Sequence, residues 1–297
     1  MSNEILFERM KECAILTEEY LDSTFDQGDG DIKSVIESMK YSLFAGGKRI
    51  RPFLVLEFCR LFGGKTEAAL PFAAAIEMIH TFSLIHDDLP CMDDDDLRRG
   101  KPTNHKVYGE ATALLAGDAL ALKSFGTAAS NSCVSPENVI EAVKLLSDAS
   151  AEVGMVGGQI MDMYAESHEI SFETLKKLYS KKTGCLIYSS ALLGCLAAGK
   201  SIDSPEGKAA KAYADGIGLA FQIRDDVLDA TGDAAKLGKT IGSDAQNDKT
   251  TFLTFMTAED AMKQARDVTN TAKSAISGFA GSENLKVLAD YLLERES

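Results

Sequence analysis

The chain has 297 residues, of which 45% are hydrophobic, so it is long enough to bury a large core. Lysine and arginine number 31 against 45 aspartate and glutamate residues, which gives a formal net charge of -14. This balance argues against nucleic acid or an anionic membrane as a partner, and an anionic substrate therefore needs a local basic patch or a bound metal ion. No stretch of the composition marks a linker, and we expect a single domain over residues 1–297.

The N-terminal segment and the cysteines both indicate a cytoplasmic protein. Residues 1–21 carry five glutamates, and no run of 18 uncharged apolar residues occurs elsewhere, so we expect neither export nor stable membrane insertion. The six cysteines form no CxxC pair and are expected to be reduced thiols rather than metal ligands. They are Cys13, Cys59, Cys91, Cys133, Cys185 and Cys195.

Helical patterns dominate the chain from beginning to end. Apolar residues recur three and four positions apart in long stretches rich in Ala, Leu, Met, Glu and Lys, whereas β-branched alternation and Asn-Gly turns are missing. Glycines separate these stretches, and Ser135-Pro136 and Ser204-Pro205 are each typical of a capped helix start. The sequence therefore predicts an all-α fold of roughly ten or more helices.

One predicted helix is of special interest because an acidic cluster lies at its C-terminal end. It begins near Glu67, and Pro90 cannot continue a helix without losing a hydrogen bond, so the helix should end near Asp88. Residues 91–103 are then expected to form a loop, and the first acidic cluster lies across the helix end and this loop.

Two acidic clusters, far apart in sequence, are the strongest chemical signal. The first contains Asp87, Asp88 and Asp93, and the second contains Asp225, Asp226 and Asp229. On a helix, the three carboxylates of the second cluster share one face. Like charges about 4 Å apart repel by about 1 kcal/mol in water and by several times more in a cleft, so such clusters are favourable where a hard divalent cation neutralises them. Mg²⁺ bridging carboxylates to a substrate's phosphates fits this pattern, and the alternative is a solvated acidic surface.

Basic and polar groups in several segments could bind phosphate. Glycine backbone amides can approach an anion, and Lys and Arg donate charge-assisted hydrogen bonds. His80 precedes Asp87 by two helical turns and could reach the same cleft. Each of these groups also has a simpler interpretation, as a helix-capping turn, a structural histidine or a local ion pair. The segments are Gly46-Gly47-Lys48-Arg49 with Arg51, then His80, Arg98-Arg99, Lys182-Thr183-Gly184 and Gln222.

These segments together resemble the trans-type (head-to-tail) isoprenyl diphosphate synthases, and bacterial farnesyl diphosphate synthases in particular. The resemblance covers almost the whole chain, and the motifs occur in the family's order and spacing. They are residues 79–86 leading into the first acidic cluster, Arg98-Arg99-Gly100, the Gly46-Gly47-Lys48-Arg49 turn, Lys182-Thr183-Gly184 and residues 221–226. The resemblance implies a helical bundle around a central apolar cavity, usually a homodimer, with isoprenyl diphosphates as substrates and Mg²⁺ ions between the two aspartate motifs.

The resemblance also implies a role for each matching residue. The six aspartates would hold the allylic diphosphate through Mg²⁺, and Arg98, Lys182 and Lys239 would contact the same diphosphate. Isopentenyl diphosphate would be held without metal by Gly47, Lys48, Arg51, His80 and Arg99, while Thr183 and Gln222 would face the developing carbocation. Whether Lys239 or Lys249 contacts diphosphate is left open, with Lys239 preferred. The reaction would give (2E,6E)-farnesyl diphosphate from isopentenyl, dimethylallyl and geranyl diphosphates.

Two positions are candidates for the control of product length. Phe82 lies five residues before Asp87, and in the family a bulky aromatic at this position goes with a C15 product. Helix geometry aligns Ser83, one turn before Asp87, better than Phe82, and Phe82 could also be an ordinary core aromatic. Geranylgeranyl diphosphate synthase is the alternative within the family. A class I terpene cyclase would not use a second diphosphate site, and a silent partner subunit would have lost an acidic motif.

Overall fold

The structure, a computed structural model, describes residues 3–25, 30–231 and 250–295. The expected all-α fold is confirmed: over these residues the chain forms thirteen α-helices and one two-stranded hairpin. The helices are α1 (Asn3–Ser23), α2 (Lys33–Leu43), α3 (Ile50–Leu61), α4 (Thr66–Asp87), α5 (Asn104–Tyr108), α6 (Glu110–Ala129), α7 (Pro136–Ser150), α8 (Met155–Ala165), α9 (Phe172–Tyr179), α10 (Cys185–Ala197), α11 (Pro205–Thr231), α12 (Ala258–Ala275) and α13 (Glu283–Glu294). Short 3₁₀ turns cover Gly30–Ile32 and Phe252–Thr254, and Ser180–Gly184 is a π-helical segment.

The helix ends follow the local signals in the sequence. Helix α7 begins at Pro136, and the Ser135 hydroxyl accepts a hydrogen bond from the Asn138 backbone nitrogen at 3.3 Å. The Ser204 hydroxyl caps α11 in the same way, at 3.1 Å from the Gly207 nitrogen. Helix α4 ends at Asp87, three residues before Pro90, as predicted.

The loop after α4 contains a hairpin that the helical pattern did not predict. Strands β1 (Leu97–Arg98) and β2 (Lys101–Pro102) form a two-residue antiparallel pair with Leu97 opposite Pro102. The hairpin fixes Arg98 and Arg99 close to the end of α4, which a disordered loop would not do.

Helix α4 is the central helix of the core. It contacts α3, α6 and α10, and its buried side chains, including Phe72, Ile76 and Ile79, lie on all of its faces. It is the one helix of the described ranges long and apolar enough to cross a membrane, with a mean hydropathy of 1.5, but 72% of that window is buried by the protein. Its apolar composition is therefore explained by its place in the core. The C-terminal end of this helix carries the first acidic cluster.

Candidate active site

A cavity of about 480 Å³ opens beside the C-terminal end of α4. Its walls come from α3, α4, α8, the π-helical segment and α10. The polar lining residues include Arg51, His80, Asp87, Gln159, Lys182 and Thr183, and the apolar ones include Phe82, Leu84, Met92, Met155, Ile160 and Leu186. The cavity thus combines charged groups and an extended apolar wall in one space of the size that small-molecule ligands occupy.

Asp87 is the acidic residue of the first cluster that lines the cavity. Burial raises its pKa to about 6, the charges of Asp93 and Asp88 act in the same direction, and Lys182 and Arg98 oppose them. The Asp93 backbone nitrogen bonds to the Asp87 carbonyl oxygen at 2.8 Å, which folds the loop back onto the helix end. A partly buried carboxylate with a raised pKa is one whose charged form a cation would stabilise.

The other two members of the first cluster have different surroundings. Asp88 is buried and accepts a hydrogen bond from Arg98 Nε at 2.6 Å, whereas Asp93 is exposed. Burial raises the pKa of Asp88, although the Arg98 hydrogen bond opposes this effect. Arg98 also lies 3.3 Å from Asp95 of the loop, so it connects this loop, through Asp88, to the end of α4.

Lys182 and Thr183 lie on the π-helical segment between α9 and α10. Lys182 Nζ donates a hydrogen bond to the buried Asp162 of α8, and its charge also lowers the pKa of Asp87. Helix α8 can approach this segment because position 158 is glycine: a Cβ there would lie 2.3 Å from the Lys182 backbone nitrogen. π-Helical turns are frequent at functional sites, and this one directs Lys182 and Thr183 into the cavity.

Arg51 and His80 form a second polar region of the same cavity. Burial and the neighbouring charges of Arg51, Arg99, Arg49 and Arg98 lower the pKa of His80 well below its ordinary value, so this imidazole is neutral at pH 7. Burial also lowers the pKa of Arg51, and its Nε is buried with no hydrogen-bond partner among the described residues. An unpaired guanidinium donor beside a neutral histidine and further arginines forms a region suited to an anion.

Arg99 packs against the predicted glycine turn. Gly47 has φ 119°, and a Cβ at this position would lie 2.6 Å from Arg99 Cζ, so only glycine fits both the backbone and the contact. Arg99 also donates a hydrogen bond to the Gly46 carbonyl oxygen. Lys48 is exposed, with Nζ 5.5 Å from the centroid of the Tyr291 ring in α13. The turn and the hairpin are therefore brought together, as the phosphate-binding interpretation requires.

Arg49, next in the turn, is a structural residue. It is buried and donates hydrogen bonds to Glu77 at 2.6 Å and to Glu18 at 2.8 Å, and its backbone has φ 48°. These bonds fix the turn to α1 and α4.

The second acidic cluster lies in the last two turns of α11, and its members do not share one environment. Asp226 is buried, and it accepts hydrogen bonds from the Tyr179 hydroxyl at 2.9 Å and from the Phe252 backbone nitrogen at 2.7 Å. Asp225 and Asp229 are partly exposed, and Asp225 forms an ion pair with Arg295. The three residues lie within one continuous helix, and Asp226 is the member whose carboxylate already has partners in Tyr179 and Phe252.

The described residues contain no group of three or more Asp, Glu, His or Cys side chains arranged to hold one metal ion. The two clusters are thus not a preformed all-protein metal cage. Gln222, one turn before Asp225, is partly exposed and is not among the described residues that line the cavity. Lys239 and Lys249 lie outside the described residues.

Several cavity residues were not among the predicted site residues. Helix α8 contributes Gln159 and the apolar side chains Val156, Ile160 and Met163. The glycine pair Gly157-Gly158 inside a helical pattern was the available signal, since glycine costs about 1 kcal/mol relative to alanine there and indicates a close approach. Nothing in the sequence indicated Tyr179 or Arg295, which contact the second cluster from distant positions.

Comparison with known proteins agrees with this geometry. Residues 32–288 match the family model described as polyprenyl synthetase. The chain is 44% identical over 268 residues to a farnesyl diphosphate synthase of Bacillus subtilis, covering 89% of each sequence. It is also 43% identical over 297 residues to a geranylgeranyl diphosphate synthase of Cyanophora paradoxa, covering 98% of this chain and 96% of the relative.

The fold agrees equally well with solved structures. The geranylgeranyl pyrophosphate synthetase from Pyrococcus horikoshii superposes with a TM-score of 0.89 at 33% sequence identity, over 100% of each chain. The extent of the family match, the identity to these relatives and the shared fold lead to one conclusion: this chain is a prenyltransferase of the polyprenyl synthetase family.

Proposed function

We propose that this enzyme is a Mg²⁺-dependent farnesyl diphosphate synthase, which condenses isopentenyl diphosphate head to tail with dimethylallyl and then geranyl diphosphate. The observation that carries the proposal is that two polar regions line one cavity, one acidic around Asp87 and one basic around Arg51. Two diphosphate substrates require two such regions, because one is bound through cations and the other through direct contacts.

The acidic region is suited to Mg²⁺. Its donors are carboxylate oxygens, which hard divalent cations prefer, and burial raises the pKa of the partly buried Asp87, so its charged form would be stabilised by a bound cation. Mg²⁺ is usually bound by one or two carboxylates together with substrate phosphates, so a site without a three-carboxylate cage fits it. Asp87, Asp88 and Asp93 would hold it on one side and Asp225, Asp226 and Asp229 on the other. Bound Mg²⁺ would stabilise the negative charge that develops on the leaving diphosphate.

The basic groups divide between the two substrates. Lys182 and Arg98, next to the first cluster, would contact the allylic diphosphate, together with Lys239. Gly47, Lys48, Arg51, His80 and Arg99 would bind isopentenyl diphosphate. The Nε of Arg51 supports this assignment, because none of the described residues accepts a hydrogen bond from it and an anion would supply the acceptor.

The residues of the cavity would also protect and direct the reaction. Cleavage of the allylic C–O bond leaves a cation that water would quench, and the apolar wall of α4 and α8 side chains excludes water from it. Thr183 and Gln222 would orient oxygen dipoles towards this cation. Among the described residues that line the cavity no side chain is an obvious general base, so the proton lost after bond formation would pass to the departing diphosphate.

Phe82 supports the C15 product. Its ring lines the cavity beside Ser83, and the Ser83 hydroxyl is bonded to the His80 carbonyl oxygen at 2.9 Å. An aromatic ring in this wall would stop the growing chain. Geranylgeranyl diphosphate is the second candidate product, since the relative from Cyanophora paradoxa carries that name at almost the same identity as the farnesyl diphosphate synthase.

One assay tests the proposal. The purified enzyme is supplied with isopentenyl and dimethylallyl diphosphates and Mg²⁺, and the products are separated by chain length. We expect mainly farnesyl diphosphate. Mainly geranylgeranyl diphosphate would favour the second candidate. No elongated product here, together with a cyclic hydrocarbon when geranyl or farnesyl diphosphate is supplied alone, would indicate a terpene cyclase instead.

We further propose that the chain acts as a single domain in a cytoplasmic homodimer. The resemblance to homodimeric synthases supports the dimer, and the burial of the apolar helix α4 within the core supports a location outside the membrane.

A further inference from the structure

Two rings of α4, in edge-to-face contact, line the cavity, and one of them also contacts α6. Phe82 and His86 lie one turn apart on α4, and both line the cavity. Their ring centroids are 5.7 Å apart at an interplanar angle of 75°, an edge-to-face contact. The position of the Phe82 ring is therefore coupled to that of the His86 ring.

The His86 ring also contacts α6. Its Nε2 lies 3.0 Å from the Leu114 carbonyl oxygen. A carbonyl oxygen can only accept a hydrogen bond, so Nε2 carries the proton and donates it. This bond connects the imidazole of α4 to the backbone of α6.

Gly117 makes room for this ring. A Cβ at position 117 would lie 2.2 Å from His86 Nε2 and 2.5 Å from Cδ2, a separation that real Cβ atoms do not show. Gly117 is buried in the interior of α6, where glycine costs about 1 kcal/mol relative to alanine. The glycine at position 117 is therefore explained by packing, because the His86 ring occupies the space that a side chain would need.

We propose that His86, whose ring packs against Gly117, is a positioning residue. It fixes the Phe82 ring and thereby sets the length of the prenyl chain that the cavity accepts. This inference rests on the proposed prenyl chain elongation. Without the imidazole, the Phe82 ring loses its edge-to-face contact with His86 and can turn towards α6. This movement lengthens the cavity. With a larger residue at position 117, the imidazole must move away from α6 towards Phe82 and the cavity, which shortens it.

The test is a double-mutant cycle with the ratio of C20 to C15 products as its readout. We expect His86→Ala to raise this ratio by about tenfold, which corresponds to about 1.4 kcal/mol in relative barrier height. Gly117→Ala should lower the ratio in the wild-type background and leave it unchanged in the His86→Ala background, because no ring remains for the added methyl group to displace. His86→Phe keeps a ring beside Phe82 and should restore a ratio close to that of the wild type.

Two control variants match these changes. Gly126, also in α6, has open space around an added Cβ, so Gly126→Ala should leave the product ratio unchanged. His168→Ala removes an exposed imidazole that stacks on Tyr164, and it should also have no effect on the ratio.

The outcomes separate the inference from the proposed function. If the wild type forms no prenyl diphosphate, the proposed function itself is wrong. If the wild type elongates prenyl chains but His86→Ala gives the wild-type ratio, or Gly117→Ala shifts the ratio equally with and without His86, the inference is overturned and the proposed function stands. If the His86→Ala protein does not fold, Gly117→Ala still tests the inference, because this variant keeps every cavity side chain and an unchanged C20 to C15 ratio in it would overturn the inference.

Discussion

At the scale of single residues, Arg51 has a buried donor that finds no partner in the described part of the chain, next to the neutral His80. Removing its guanidinium should weaken the binding of the substrate that supplies the missing acceptor. We expect Arg51→Ala to raise the KM for isopentenyl diphosphate by roughly a hundredfold and the KM for the allylic substrate much less, since a charge-assisted hydrogen bond contributes about 1.5–3 kcal/mol. Steady-state kinetics with each substrate varied in turn measure this difference.

Arg266 is exposed on α12, and Arg266→Ala is the matched control that should leave both KM values unchanged. Equal increases in the two KM values of Arg51→Ala would contradict the assignment of Arg51 to one substrate.

Asp87 and Asp225 lie in different acidic clusters and should both be needed for turnover. We expect Asp87→Asn and Asp225→Asn each to lower kcat by roughly a hundredfold or more at saturating substrates, because each change removes a charge that stabilises the bound cation in the transition state. Turnover is measured over a range of Mg²⁺ concentrations, with circular dichroism to check the fold.

Asp215 supplies the control for these changes, since it is exposed on α11 and paired with Lys211 at 2.7 Å. Asp215→Asn should retain wild-type turnover. Near-normal activity of Asp87→Asn or Asp225→Asn at limiting Mg²⁺ would refute a metal role for that cluster.

Phe82 is expected to limit product length directly. Phe82→Ala should give a substantial fraction of C20 or longer products, because the truncation opens volume in the wall along which the chain extends. It should also lower the free energy of unfolding by about 3 kcal/mol, as for other truncated aromatic core residues. Product analysis and chemical denaturation measure the two effects separately.

Phe279 packs its ring against Phe62, with centroids 5.2 Å apart, and does not line the cavity. Phe279→Ala should therefore lose stability without lengthening the product. A folded Phe82→Ala enzyme that makes only farnesyl diphosphate would mean that another residue, with Ser83 the next to test, limits the chain.

At the scale of helices, a buried carboxylate joins three elements. Glu57 of α3 accepts hydrogen bonds from Arg9 of α1 at 2.7 Å, from Arg60 at 2.7 Å and from Asn284 of α13 at 3.1 Å. Burial raises the pKa of Glu57, but the hydrogen bonds from Arg60 and Arg9 outweigh it, and the net pKa is lowered. The ionised carboxylate therefore stabilises the folded protein.

Glu57→Gln should lower the free energy of unfolding at pH 7 by about 3 kcal/mol, since removing one partner leaves buried groups unpaired. A carboxylate whose pKa is lower in the folded protein than in the unfolded chain stabilises the fold at pH values above the unfolded-state pKa. This stabilisation is lost as the pH falls through the folded-state pKa. The difference between wild type and variant should thus shrink as the pH falls below about 4. Denaturation curves between pH 3 and pH 7 would contradict this if the difference stayed constant.

At the scale of the whole molecule, α6 presents apolar side chains to solvent. Leu115 and Leu122 lie two turns apart and are 58% and 74% exposed. A second copy of the chain would cover such a face in the proposed homodimer. We expect sedimentation at micromolar concentration to give a dimer, and Leu122→Glu to shift it towards monomer because the carboxylate would have to be buried in the interface.

Ile32 is 58% exposed at the start of α2, and Ile32→Glu is the control that should leave the dimer intact. A monomeric wild type, or a Leu122→Glu protein as dimeric as the wild type, would rule out this surface as the interface.

The sequence by itself determined the features that depend on local chemistry. Pro90 fixed the end of α4 at Asp87, the serine and proline pairs placed the starts of α7 and α11, and the helical periodicity determined the all-α fold. These features depend on hydrogen bonds and side-chain spacing within a few residues. The motifs also indicated the family, because their order along the chain is a property of the sequence alone.

The tertiary structure decided which groups share an environment. It placed Asp226 against Tyr179 and Phe252, packed Arg99 on Gly47, turned residues 180–184 into a π-helix and seated His86 on Gly117. Each contact joins residues that are far apart in sequence or depends on a neighbouring helix. Burial and the charges of distant residues then set the pKa of Asp87 and of His80, and neither quantity can be calculated from the order of residues without the packing of the helices.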